Sequence, residues 1–147
     1  MDLNASAPRL RREQVAGMNI HYIMWSLDYF LDAQQRLGFK TIELWAAEPH
    51  VTLDHTGYFE ADELRRKIES RGLSVSSLCP ENVVYPWQYA ARKPLHAQRS
   101  LAYFKHGIEL AEVLGAPYMS INSGWGDWDE DLSLIHISEP TRRVVIS

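Results

Sequence analysis

Between Met18 and Ile121 the apolar positions fall into a pattern that repeats: a short apolar run, a polar turn, an amphipathic segment with one apolar stripe, and a glycine. Met18 to Met24 is short, apolar and aromatic, as a buried strand requires, and Ser26 then offers an oxygen to cap a helix. Leu27, Phe30, Leu31 and Leu37 give that helix its stripe, and Gly38 is placed to end it in the left-handed conformation. Phe39–Trp45 reads as the second strand. After a polar loop, Glu60, Asp62 and Glu63 stand where the positive end of a helix dipole favours acids, with Arg65, Arg66, Lys67 and Arg71 crowding the other end. Leu64 and Ile68 form the buried stripe, Gly72 ends the helix, and Leu73–Leu78 supplies a third strand. Cys79 to Lys93 is a longer loop dense in aromatic and polar residues. Pro94 opens a helix whose shared face is predicted to be Leu101, Phe104, Ile108 and Ala111, ended by Gly115 ahead of a fourth strand, Tyr118–Ile121.

Strands alternating with glycine-terminated helices predict consecutive βαβ crossovers, hence an α/β fold with a parallel sheet. Two closures compete, a doubly wound open sheet and a (β/α)8 barrel. No G-x-G-x-x-G follows the first strand, and Asn19-Ile20-His21-Tyr22 sets bulky side chains where a phosphate-binding turn needs glycine, which weighs against the dinucleotide fold. Against a typical barrel of about 250 residues, four strands amount to the N-terminal half, (βα)3β4, of a TIM (β/α)8 barrel. Residues 1–17, polar and carrying Arg9, Arg11 and Arg12 without apolar periodicity, read as a flexible leader. After Ile121 the expected fourth crossover helix does not follow. The string Leu132–Arg142, LSLIHISEPTR, resembles the in-frame translation of a transposon-end sequencing adapter. Residues 18–131 are therefore expected to form the partial barrel, and 132–147 a tail of non-native origin.

Charge and composition narrow the partners. Fifteen Lys and Arg against nineteen Asp and Glu give a net charge of −4, without the positive field of a nucleic-acid binder, so no nucleic-acid partner is expected. No stretch approaches the roughly 18 to 20 apolar residues of a spanning helix. The first residues also lack the apolar core of a secretory signal, so a cytoplasmic protein without a membrane partner is expected. The single cysteine, Cys79, excludes an internal disulfide framework and a multi-cysteine zinc site.

Ligands of parallel α/β folds bind beyond the carboxyl ends of the strands. There the sequence places His21 and Trp25 after strand one, Glu43, Trp45 and His50 on or after strand two, Glu81, Asn82 and Tyr85 after strand three, and Asn122 after strand four. Imidazole, carboxylate, amide and flat aromatic faces suit a sugar, hydrogen bonds serving its hydroxyls and rings its C–H faces. Glu43 fits a site-floor carboxylate or a structural pair equally, and His21 fits a substrate contact or a core histidine. His50 and His55 with Asp54 supply too few ligands for a metal site. Trp125 and Trp128 either line the pocket or belong to a solvated loop, and His96 and His106 fall on the surface of helix three.

The stretches LGFKTIELWAAEPH (37–50), CPENVVYPW (79–87) and HAQRSLAYFKHGIELAEVLGAPYMSINSGWG (96–126), with His21, resemble the sugar phosphate isomerase/epimerase family of xylose isomerase-like TIM barrels. Within it they are most similar to the fructoselysine 3-epimerase and ketose 3-epimerase branch. The resemblance implies a proton transfer beside a ketose carbonyl, assisted by a divalent metal, typically manganese. Its ligands, two glutamates, an aspartate and a histidine, come from the later strands in this family. It assigns no catalytic or metal-binding residue to this chain, which is expected to be an inactive fragment of a parent enzyme acting on a small sugar or sugar derivative. A homo-oligomer of the parent is left open. Ser138-Glu139-Pro140 echoes the family's metal-binding x-E-P but falls inside the adapter-like string. An inosose dehydratase-like lyase and an endonuclease IV-like member of the superfamily are the alternatives.

Overall fold

The computed structural model describes residues 10–81, 87 and 91–121. A parallel sheet is built from β1 (Gly17–Met18), β2 (Thr41–Ala46) and β5 (Ser74–Pro80), in that spatial order. Segment 118–120 extends it: Leu78 N–H donates to Tyr118 O at 3.0 Å, Ser120 N–H donates to Leu78 O at 2.8 Å, and Met119 bridges Leu78 in parallel. Spatial order thus follows chain order from one edge to the other. A doubly wound sheet would reverse direction after its first strand, whereas stepwise order is how barrel strands are laid down.

Helices α1 (Leu27–Arg36), α2 (Ala61–Glu69) and α3 (Pro94–Val113) connect the strands. Ser26 caps α1 through Oγ, which accepts the Tyr29 N–H at 3.1 Å. The glycines that follow the helices, Gly38, Gly72 and Gly115, have φ of 80°, 68° and 66°, the left-handed region that lets the chain turn back into a strand without a Cβ clash. Along β2 burial alternates strictly, with Ile42, Leu44 and Ala46 buried and Thr41, Glu43 and Trp45 half-buried. The buried set joins Phe30, Leu31, Leu64, Ile68, Val75, Leu78, Tyr103, Phe104 and Leu110 in one core. The sheet therefore has an apolar face against the helices and an opposite, polar face. A bulge between Ile42 and Glu43 brings Ser77 opposite Glu43 on that polar face.

Several expectations are corrected. Strand one is not Met18–Met24: it ends at Met18, and Asn19–Tyr22 form a 3-10 turn. The cause is Asn19, whose amide occupies the next rung of the ladder. Residues 10–17 are not a free leader. Arg12–Gln14 form a 3-10 turn, the Arg12 guanidinium donates to Leu37 O at 2.9 Å and Gly17 enters the sheet. Leu37 is exposed rather than part of the α1 stripe. The buried face of α3 is Ser100, Tyr103, Phe104, Gly107, Leu110 and Ala111, leaving Leu101 and Ile108 exposed. Gly107 explains the rotation, since a Cβ there would lie 3.1 Å from Pro80 Cγ and 3.4 Å from Met119 Sδ: the helix backbone itself rests on the sheet.

The polar loop before α2 contains an antiparallel hairpin, β3 (Leu53–Asp54) and β4 (Gly57–Tyr58). Asp54 Oδ1 accepts from the Thr56 N–H and Oγ1, both at 2.6 Å, and these bonds hold its carboxyl below the usual carboxylate range. The Trp87 ring stacks on buried Tyr103 at 4.4 Å and 6°, with His55 at 5.6 Å from Trp87. Arg71 ties α1 to the turn after α2, donating to Asp32 at 2.6 Å and to Asp28 at 2.8 Å. Among the described residues no helix is long and apolar enough to cross a membrane.

Gly17 sits against the side chain of buried Gln34, and a Cβ at residue 17 would overlap the Gln34 amide. Gly17→Ala is expected to lower the unfolding free energy in urea melts by about 1–3 kcal/mol, the ordinary cost of overpacking. Adding Gln34→Ala should recover part of that loss; strictly additive effects of the two changes would refute the contact.

Candidate active site

The carboxyl edge of the sheet is organised by Asn19, which is fully buried. Its Oδ1 accepts the Trp45 N–H at 2.7 Å and its Nδ2 donates to Trp45 O at 3.0 Å. A primary amide carries an acceptor and a donor side by side, as a peptide group does, so the side chain continues the β1–β2 ladder after the β1 backbone has turned away. The Trp45 N–H can only donate, which fixes the oxygen of Asn19 on that side.

The second hydrogen of Asn19 Nδ2 points to His50 Nδ1 at 3.0 Å, and His50 Nε2 lies 2.9 Å from Trp25 O. An amide NH2 has no acceptor to offer and a carbonyl no donor, so Nδ1 accepts, Nε2 carries the hydrogen, and one neutral tautomer satisfies both bonds. Trp45 extends the chain in the other direction, its indole N–H donating to Glu81 Oε2 at 2.8 Å. The ends of three successive strands are thereby joined through Trp25, His50, Asn19, Trp45 and Glu81.

Below this edge the polar face carries a layer of Glu43, Ser77 and Ser120. Ser77 and Ser120 hydroxyls are 3.2 Å apart, and Ser120 Oγ donates a long hydrogen bond to Glu43 at 3.4 Å. Glu43 is half-buried and bonded, which places it on the floor of the face. Cys79, paired with Trp45 in the ladder, lies between this layer and Glu81. Burial pushes its thiol up from the usual range, and the negative charges of Glu43 and Glu81 push it further. Such a thiol stays neutral, the opposite of an activated nucleophile.

Of the residues the sequence nominated, Trp45, His50 and Glu81 are brought together at the carboxyl edge, with Trp25 joined to them through its carbonyl and Glu43 in the layer below. The Trp25 ring is half-exposed and stacks on Tyr29 at 6.2 Å and 18°. His21 is exposed on the 3-10 turn, so it is not a core histidine. Asn82, Tyr85, Asn122, Trp125 and Trp128 lie outside the described residues. Sequence reasoning missed Asn19. Its signal was a lone amide inside the apolar run Met18–Met24, where a buried polar group must find partners.

Among the described residues, no three His, Cys, Asp or Glu side chains converge to hold a metal ion. Glu43 and Glu81 are engaged with Ser120 and Trp45 respectively. The described residues thus do not fit a metal centre.

A model of the xylose isomerase-like TIM-barrel family matches residues 31–145. Among solved structures, the chain is similar to the crystal structure of 3-keto-D-glucoside 4-epimerase, YcjR, from E. coli, in its apo form. The TM-score is 0.58 at 13% sequence identity, over 86% of this chain and 48% of that one. The chain therefore spans about half the length of that enzyme, and at this identity the likeness speaks for the fold. No curated protein matches the sequence significantly.

The raised thiol value of Cys79 sets a pH dependence. The unfolded chain loses this proton first as the pH rises. The stability that Cys79 contributes is therefore complete below the ordinary thiol range and is lost as the pH climbs through the folded-state value. Alkylation by iodoacetamide near pH 8 should be slower for the folded chain than for a free thiol. Glu81→Gln should speed it roughly two- to fivefold by removing one repelling charge; an unchanged rate would remove Glu81 from the surroundings of the thiol.

Proposed function

The chain belongs to the xylose isomerase-like TIM-barrel family, and from that premise we propose that its parent protein is a sugar isomerase or epimerase of the ketose 3-epimerase type. The observation that carries this reading is the Trp45–Glu81 pair at the carboxyl edge, an indole N–H fixing a carboxylate above the polar face. With Oε2 engaged, Glu81 is held in one orientation and accepts hydroxyl hydrogens from a sugar. The half-exposed Trp25–Tyr29 stack offers the flat apolar surface that packs against sugar C–H groups. Glu43, His21, Trp45, His50, Asn82, Tyr85 and Asn122 complete the set of residues proposed to line or shape the substrate site.

Proton transfer beside a carbonyl needs groups that remove and return a proton within hydrogen-bond reach of one carbon. We place these groups, and the ligands of a divalent metal, manganese first among them, outside residues 10–121. The metal would supply polarisation of the substrate oxygens. The described residues do the complementary work: they bind the hydroxyls, orient the sugar and close one wall of the pocket. A dehydratase would use the same wall. The net charge of −4 disfavours the endonuclease reading, because phosphate backbones are gripped by positive charge.

We further propose that residues 132–147 derive from an adapter sequence, leaving the 147-residue chain without turnover of its own. The family match runs across this string to residue 145, so the two readings compete for residues 132–145. A continuous genomic read encoding LSLIHISEPTR would decide for the native one.

The full-length gene product, incubated with manganese and a panel of ketoses in deuterated water, is expected to incorporate deuterium at the carbon beside the carbonyl. Glu81→Ala should lower kcat/KM roughly 10- to 100-fold, the range of a lost hydrogen bond to a charged group, about 1.5–3 kcal/mol. Absence of exchange with every ketose would overturn the epimerase reading, and loss of water from the substrate would replace it with the lyase.

A further inference from the structure

We propose that His50 is a positioning residue rather than a substrate-binding one: held by Asn19 in a single tautomer, it fixes the Trp25 carbonyl and so sets the aromatic shelf formed by Trp25 and Tyr29. Both ring nitrogens are already engaged, Nδ1 with Asn19 at 3.0 Å and Nε2 with Trp25 O at 2.9 Å. No polar atom of the imidazole is left for a ligand. The acceptor it finds is a backbone carbonyl in the turn between the 3-10 segment and α1, the point where the chain must be aimed.

That turn needs an anchor from outside itself. Its internal support is the Trp25 N–H to Tyr22 O bond at 2.8 Å and the Ser26 cap on Tyr29. Met24 and Trp25 are exposed, at 84% and 52%, so neither is anchored in the buried core. Ring contacts link Trp25 to Tyr22 at 6.0 Å and to Tyr29 at 6.2 Å, and only Tyr22 reaches on to buried Phe30, at 5.2 Å. The bond from His50 adds a fixed point on the far side, carried by the loop after β2 and backed by a fully buried amide. Glutamine or lysine at residue 50 would be long and flexible. An imidazole held at both nitrogens is a rigid strut between Asn19 and Trp25.

Calling the shelf a sugar-binding surface rests on the proposed function, whereas the positioning by His50 does not. The test uses the 147-residue chain. In 15N-labelled protein at neutral pH, His50 should show a pyridine-type Nδ1 and a pyrrole-type Nε2; the reverse tautomer, or fast exchange between the two, would overturn the proposal without any variant. With 5-fluorotryptophan in place of tryptophan, and Trp25 assigned through Trp25→Phe, His50→Ala should shift and broaden the Trp25 fluorine resonance and leave that of Trp87 in place. His50→Gln, which keeps an N–H near the Nε2 position, should restore part of the shift. An unmoved Trp25 resonance, or equal movement of all tryptophans, would refute the positioning role. Titration of the wild-type chain with D-fructose forms a separate arm: a Trp25 resonance insensitive to the sugar counts against the proposed function, while the effect of His50→Ala still decides the role of His50.

Discussion

The carboxyl edge of the sheet depends on one buried amide. A side chain of Asn19 replaces a stretch of strand, bonding both the N–H and the C=O of Trp45. Without it those two backbone groups would be buried at the end of β2 without partners, at about 1–3 kcal/mol each. The gain is geometric as well as energetic. Because the ladder is completed by a side chain, the backbone of residues 19–22 is free to leave the sheet and curl into the 3-10 turn that carries His21 and leads to Trp25. A strand running on to Met24 would have left no 3-10 turn at residues 19–22 to bring Trp25 back against Tyr29.

The same division of labour recurs in the two faces of the sheet. Ile42, Leu44, Val75 and Leu78 face helices and are buried, and they bear the hydrophobic stabilisation of the half-barrel. Glu43, Ser77, Cys79 and Glu81 are half-buried and polar. A carboxylate tolerates that position because it keeps hydroxyl or indole donors rather than entering an apolar core unpaired. Helix α3 shows the limit of this scheme: its closest approach uses Gly107 against Pro80 and Met119, so backbone rather than a large side chain makes the seam.

The parts legible in the sequence are those set by local chemistry. The glycine ends, the Ser26 cap and the acids opening α2 depend on neighbours a few residues away, and each stands where the pattern put it. Glu43, Trp45 and Glu81 could also be assigned from the sequence to the sheet's carboxyl side, because each lies on or just after a strand, and their bonds to Ser120 and to one another place them there. What could not be read depends on distant partners. Asn19 is twenty-six residues from Trp45, and a lone amide in the run Met18–Met24 announces that partners are needed without saying which backbone supplies them. In α3 the apolar pattern counted Ser100 and Gly107 as polar, yet both are buried because they are small, and the true face is rotated toward them. The hairpin at residues 53–58 was hidden because its two-residue strands are too short to show a period, although Asp54 and Gly57 carried the turn chemistry.

Trp45 is where these two kinds of information meet. Its backbone is held by Asn19 of the preceding segment, and its indole holds Glu81 of the following one. A single rigid residue therefore relates the loops of strands one and three across strand two. Displacement of either neighbour is felt by the other through one ring rather than through the mobile tip of a long side chain. Binding groups carried on loops lose affinity and rate when their spacing drifts by even an ångström. A relay that passes from buried amide to backbone to indole to carboxylate keeps that spacing without needing the loops themselves to be well packed. The barrel strands supply the frame, but the register of the polar groups along its carboxyl edge is set by this lateral chain of donors and acceptors.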